Sequence, residues 1–426
     1  MRKALAVLIA LCLVFTAVSC SGKSASGSSS TAAATATTTT TSTTTTNTTA
    51  AAEPKAETTA SAAPAAEEKT EAVVETAVVA EPAKTETAVR KSAGSYKLGM
   101  GVTFSDNHTD EQAAYDSVVA VVVTDEEGRI VECRIDDAQN KMNTDAIDSG
   151  KTFRSKKELE YDYNMVKYSE ATNEWFQQVA AFENYVVGMT ADEVAAIETR
   201  VRGENEPHPG YVVAADETLF ASCSIQITEF KEAVVKACND DKAQEFTSKD
   251  GNFSLGLKIE STAAETTAPT EESDGTIKMY ADFGAAVVDN NGVILACLTD
   301  AIQPTFTVDS DLEITASSFK GTKKELEYDY NMVKYSEATN EWFQQAAAFE
   351  DYCVGKTAEE VASLPTRVRT ESEPHPGYVV TTDETLFASC SIQITSFKKV
   401  ISKAAENAQK ENQFDAEGSP AASLLI

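Results

Sequence analysis

The apolar positions of this chain change period along its length, and each change marks an element. SYKLGMGV at 95–102 and NFSLGLKI at 252–259 read as strands that carry glycine. Residues 118–124 are almost all apolar, Asp125-Glu126-Glu127-Gly128 forms a turn, and 129–135 returns as a second strand. Residues 284–288, Asp289-Asn290-Asn291-Gly292 and 293–298 repeat that hairpin. Acidic or amide residues ending in glycine suit a turn that needs positive φ. The period then becomes helical: Glu174, Trp175, Gln178, Phe182 and Tyr185 fall on one face, and Gly188 and Gly355 mark where such helices stop. Thr190-Ala191-Asp192-Glu193 and Thr357-Ala358-Glu359-Glu360 are capping boxes that open short helices. Pro-His-Pro-Gly breaks the chain at 207–210 and 374–377. A strand is expected through 220–225, followed by a last helix capped by Thr228, with Phe230, Ala233, Val234 and Ala237 on one face. Strands and helices mix without βαβ regularity, which predicts an α+β fold.

The same pattern occurs twice. KKELEYDYNMVKYSEATNEWFQQ at 156–178 returns unchanged at 323–345, EPHPGYVV at 206–213 returns at 373–380, and DETLFASCSIQIT at 216–228 returns at 383–395. All three blocks are displaced by one interval, so the chain reads as two tandem copies of one domain, 94–240 and 251–408, with a tail at 409–426. Function is expected in residues that both copies hold. The copies are not uniformly alike: SVVAVVVTD at 117–125 answers to the rewritten IKMYADFGAAVVD at 277–289.

Residues 1–20 read as an export leader. Arg2 and Lys3 precede an apolar run at 4–15 that is too short to span a bilayer. Ala17-Val18-Ser19-Cys20 resembles a bacterial lipobox, which implies cleavage before Cys20, lipid on its sulfur, and a cell-membrane anchor on the extracellular face. An ordinary secretory leader with a chance cysteine is the alternative. Residues 21–93 are rich in Ser, Thr, Ala and Glu and hold no aromatic residue, so they bury too little apolar surface to order. They predict a flexible stalk spanning roughly 45–50 Å. A polar stretch at 260–275 reads as a loop. The formal charge of −31 argues against nucleic acid or an anionic lipid surface as partner.

One segment carries candidate chemistry. Ala221-Ser222-Cys223-Ser224 is followed by Phe230 six residues after the second serine, then Ala233 and Val234; Ala388-Ser389-Cys390-Ser391 and Phe397 repeat the register. With the glycine-bearing strand and the hairpin, this spacing resembles the FMN-binding domain family. That family includes the flavin-carrying subunits of sodium-pumping quinone reductases, and extracellular lipoproteins with two such domains. In its Ser-Gly-Ala-Thr motif the threonine hydroxyl takes the FMN phosphate; here serine stands in that place and the glycine is absent. The resemblance implies FMN at Ser224 and Ser391, covalent or noncovalent, with Ser222, Ser389, Thr228, Thr395, His208 and His375 as further cofactor-binding candidates. It implies an electron carrier rather than a stand-alone enzyme, loaded by a flavin transferase and fed by a quinol-linked donor. A surface binding or structural lipoprotein that keeps the fold without flavin is the alternative. Independently of the family, a hydroxyl just before a helix start meets free N–H groups that favour phosphate. Tyr161, Tyr163 and Trp175, with Tyr328, Tyr330 and Trp342, are either core or a stacking surface for the flavin ring.

Of the eight cysteines, Cys133 and Cys297 occupy matching hairpin positions, and Cys223 and Cys390 matching motif positions. Cys133–Cys223 and Cys297–Cys390 disulfides, or buried free thiols, both fit. No metal-ligand spacing and no hydrolytic or nucleotide-binding motif occurs.

Overall fold

The computed structural model describes residues 91–416 apart from Glu170 and Glu337, with side chains placed up to residue 410. The leader, Cys20, residues 21–90 of the stalk and residues 417–426 lie outside the described residues. The described part is mixed helix and sheet, as the α+β reading expects.

In the first half, β1 (Gly94–Val102), β2 (Gln112–Thr124) and β3 (Ile130–Asn143) are followed by α1 (Lys156–Leu159), α2 (Trp175–Val186), α3 (Glu217–Ser222) and α4 (Thr228–Cys238). Strand β4 (Gln244–Ser248) then leads to the second half. There, β5 (Phe253–Thr262), β6 (Tyr280–Asp289) and β7 (Ile294–Ile302) precede α5 (Lys323–Leu326), α6 (Trp342–Cys353), α7 (Glu384–Ser389) and α8 (Thr395–Ala416). Both hairpins close as the sequence predicts, with Gly128 and Gly292 each at φ 75°. Both capping boxes form: Thr190 and Thr357 side chains accept from the N–H of Glu193 and Glu360. The loop expected at 260–275 begins only after β5 ends at Thr262.

The first sheet runs β3-β2-β1-β4, antiparallel throughout. The second runs β7-β6-β5 and is completed by Thr152–Phe153, which comes from the first half. The edge strand β4, from the segment between the two copies, pairs with β1, and Thr152–Phe153 of the first half joins the edge of the second sheet. The halves also share a core. Val119, Val121 and Val123 of β2 pack in one apolar cluster with Leu255, Ile259, Phe283 and Val287 of the second sheet. Val118, Ala120 and Val122 point the other way, toward α2 and α4. A strand buried on both faces must be apolar at every position, which explains the unbroken run at 118–123. The second half has its own helix-facing cluster, with Ala286 and Val288 against α6 and α8. The order of layers is therefore helix, sheet, sheet, helix.

The glycines of β1 are explained by packing. A Cβ on Gly99 would lie 2.0 Å from the Ala237 carbonyl oxygen, and one on Gly101 2.1 Å from that of Ala233. The backbone of α4 rests directly on the strand there. Gly256 of β5 meets α8 in the same way, 2.0 Å from the Ala404 carbonyl oxygen.

Two expectations are corrected. Residues 217–222 are helix α3, not part of a strand, because Asp216 caps a turn by accepting from the Leu219 N–H at 2.9 Å. Thr228 is the first residue of α4, exposed, and the cap position belongs to Ile227, which makes no side-chain cap bond. Among the described residues no helix is long and apolar enough to cross a membrane.

Candidate functional site

The three repeated blocks are far apart in sequence but meet in space. A cleft of about 160 Å³ is lined by Met165, Ser169 and Ala171, by Arg202, by Pro207, His208 and Tyr211, and by Ser224 and Ile225. Every one of these residues has an identical counterpart in the second half, from Met332 to Ile392.

Ser224 sits in the short link between α3 and α4. Its N–H and hydroxyl both donate to Gln178 Oε1, at 2.9 and 3.2 Å. Gln178 is held in turn, since its Nε2 donates to the Asn173 carbonyl at 2.9 Å. Ser391 and Gln345 repeat this arrangement at 2.9 and 3.4 Å. Arg202 follows the short strand Thr199–Val201, which pairs with Val212–Ala214 and so encloses the Pro-His-Pro-Gly turn in the hairpin loop. Its Nη2 donates to the Ser224 carbonyl at 2.7 Å, and its Nη1 to the Pro207 carbonyl. Arg369 makes the same bonds to Ser391 and Pro374. The Nε of each arginine is buried without a hydrogen-bond partner. Both guanidinium groups thus bond backbone carbonyls, lie over the Phe220 and Phe387 rings at 5.7 and 5.8 Å, and bond no carboxylate among the described residues.

The turn holds the fourth wall. His208 adopts φ 53° and Gly210 φ 87°, and His375 and Gly377 match them at 54° and 87°. The imidazole of His208 stacks on Tyr211 at 5.2 Å, as His375 does on Tyr378. The left-handed backbone is what lets the ring fold back over the tyrosine while the flanking prolines fix the turn.

The other expected ligands divide. Ser222 and Ser389 turn their hydroxyls back to the Leu219 and Leu386 carbonyls at 3.2 Å, within their own helices. Thr228 and Thr395 are exposed at helix starts and do not line the cleft. Trp175 and Trp342 are core residues, 2% and 3% exposed. With Tyr163 and Tyr330 they enclose lysines: Lys156 lies 5.5 Å from Trp175 and 5.4 Å from Tyr163, and Lys323 lies 5.3 Å from both of its rings. Those faces hold ammonium groups and are not open to a ligand. Tyr161 and Tyr328 are exposed instead, 61% and 62%.

Of the two cysteine readings, disulfides or buried free thiols, the structure holds the second. Cys133, Cys223, Cys297 and Cys390 are free, buried thiols. Burial pushes the Cys223 and Cys390 thiols up to about 12, so neither supplies a thiolate beside the serines. Among the described residues no cluster of three metal-ligating side chains is present.

No protein family, no curated protein and no solved structure matches this chain.

Sequence reasoning missed Gln178, Arg202 and their counterparts. Gln178 is the last residue of the longest repeated block, and Arg202 lies in Arg-Val-Arg, which recurs at 367–369. Repetition was the available signal for both.

Proposed function

We propose that the protein is an exported, lipid-anchored electron carrier that holds one FMN at Ser224 and a second at Ser391. The observation that carries this reading is the cleft itself. Three separated blocks, unchanged between halves whose core strands differ, converge on one serine with an arginine turned toward it. Core strands usually change more slowly than loops, because packing constrains them. Here the blocks that form the cleft are the unchanged part.

The residues fit an FMN phosphate. The orphaned Nε of Arg202, on a guanidinium that bonds no carboxylate directly, favours an anion, and His208 lines the same cleft. Gln178 holds the Ser224 hydroxyl at the cleft wall, while Ser222 is turned away. This favours Ser224 and Ser391 over Ser222 and Ser389 for attachment. At about 160 Å³ the cleft is about half the volume that encloses a drug-sized ligand, so it takes the phosphate and its first carbons and leaves the ring system outside. Exposed Tyr161 lies on the surface nearby in sequence and offers an apolar face to that ring. FMN would supply one- and two-electron transfer, and an exposed ring suits exchange with a quinol-linked donor and a second carrier.

The test is direct. The full chain is produced with a flavin transferase and run on a denaturing gel under ultraviolet light. A fluorescent band is expected, lost in Ser224→Ala, Ser391→Ala and kept in Ser222→Ala, Ser389→Ala. For noncovalent binding, FMN fluorescence titration should show at least a tenfold weaker Kd in Arg202→Met, Arg369→Met, the loss of one charge-assisted contact per site. A chain that takes up no flavin by either route would leave the alternative, a surface binding module, in its place.

A further inference from the structure

The second half brings together thiols from β7 and α6, whereas in the first half Cys133 shares its cluster with Cys238 of α4 instead. Cys297 lies on β7 and Cys353 is the last residue of α6; both are fully buried in one apolar cluster. The Cys297 thiol donates to the Glu350 carbonyl at 3.4 Å. Glu350 lies one helical turn before Cys353, so this bond sets the Cys297 sulfur on the last turn of α6. Cys353 lies in the same buried cluster and is the neighbour that acts most strongly on the Cys297 thiol. The docking of that turn is rigid, since the Thr299 N–H and the Lys324 ammonium both donate to Glu350 Oε1, at 2.6 and 2.7 Å. In the first half, Val186 occupies the place of Cys353, and Cys133 faces no cysteine on α2.

We propose that Cys297 and Cys353 form a disulfide that pins α6 to β7 when the chain meets a disulfide oxidant. The exchange balances with one small-molecule or protein disulfide. One thiolate attacks the oxidant and releases its first thiol; the second thiolate attacks the mixed disulfide and releases the other. Two protons and two electrons leave the cysteine pair, and the oxidant becomes two thiols. The neighbouring Cys353 side chain, and then burial, hold the Cys297 thiol well above its ordinary value in the folded protein, so the reaction belongs to the folding stage, before α6 closes over the strand. This replaces the Cys297–Cys390 pairing that position alone suggested, and it does not depend on flavin.

The full chain is unfolded, refolded with reduced and oxidised glutathione, alkylated and digested with trypsin. Cys297 and Cys353 fall on different tryptic peptides, so a linked pair is expected to appear and to vanish on reduction. Thermal unfolding should shift down by a few degrees with reductant in the wild type and remain unchanged in Cys353→Val, the residue the first half already uses there. Alkylation of both cysteines without reductant, or a link from Cys297 to Cys390, would overturn the proposal.

Discussion

Asp136 and Asp300 are fully buried carboxyls beneath the starts of α1 and α5. Each accepts backbone N–H bonds: Asp136 from Asp137 and Lys157 at 2.7 and 2.9 Å, Asp300 from Ala301 and Lys324 at 2.7 and 3.0 Å. Burial outweighs these bonds and raises each carboxyl to about 6. A carboxyl raised above its unfolded value stabilises the fold while protonated. The contribution is present below about pH 4, the unfolded value, and is lost as pH rises through 6. Between pH 4 and pH 7 each should cost the fold about 2–3 kcal/mol. Asparagine keeps an acceptor oxygen for the N–H groups but cannot ionise. Denaturant unfolding of Asp136→Asn, Asp300→Asn is therefore expected to show a smaller loss of stability over that range than the wild type. Parallel pH profiles would mean that both carboxyls ionise in the fold as easily as in the open chain.

Between elements, the closest approach is helix on strand. At Gly101 an added methyl would stand 2.1 Å from the Ala233 carbonyl oxygen and 2.5 Å from the Ala237 nitrogen. Both are backbone atoms, so relief requires α4 to lift. Gly101→Ala is expected to destabilise by about 3 kcal/mol, as overpacked core sites do. Gly210→Ala, at φ 87° with nothing within 4 Å, should cost about 1 kcal/mol through backbone strain alone. Equal losses in chemical denaturation would contradict the close-approach reading. Much of this scale was legible in the sequence. The hairpin turns, the capping boxes and the faces of α2 and α4 follow from spacing and from the glycines. What failed was short. Helix α3 has six residues, too few to show a helical period, and Phe220-Ala221-Ser222-Cys223 alternates enough to imitate a strand. The cleft was half legible: Ser224 and His208 stood out by motif and repetition, but Arg202 and Gln178 reach the site only through tertiary folding.

At the scale of the whole molecule, the sequence repeat gives two tandem copies of one domain and is silent on their contact; a shared apolar core binds them into one body. The unbroken apolar run of β2 signals burial on both faces without saying what covers the second one. Leu98, Val119, Val121 and Val123 are 0% exposed because Leu255, Phe283 and Val287 lie against them. Polar ties cross the same boundary: the Leu255 N–H donates to Glu132 Oε2 at 2.8 Å, and the Cys297 N–H to Gln244 Oε1 at 2.7 Å. Cutting the chain at residue 250 would open that apolar layer to water, an exposed sheet face far larger than a monomer tolerates. A fragment of residues 91–250 is therefore expected to associate or to bind a hydrophobic dye, while the intact described region unfolds in a single transition. Mixing the fragment with residues 251–416 should restore a monomer-sized complex by size-exclusion chromatography and remove the dye signal. A fragment that stays monomeric, binds no dye and unfolds sharply would show that the shared core is not required, and would return the molecule to two self-sufficient domains.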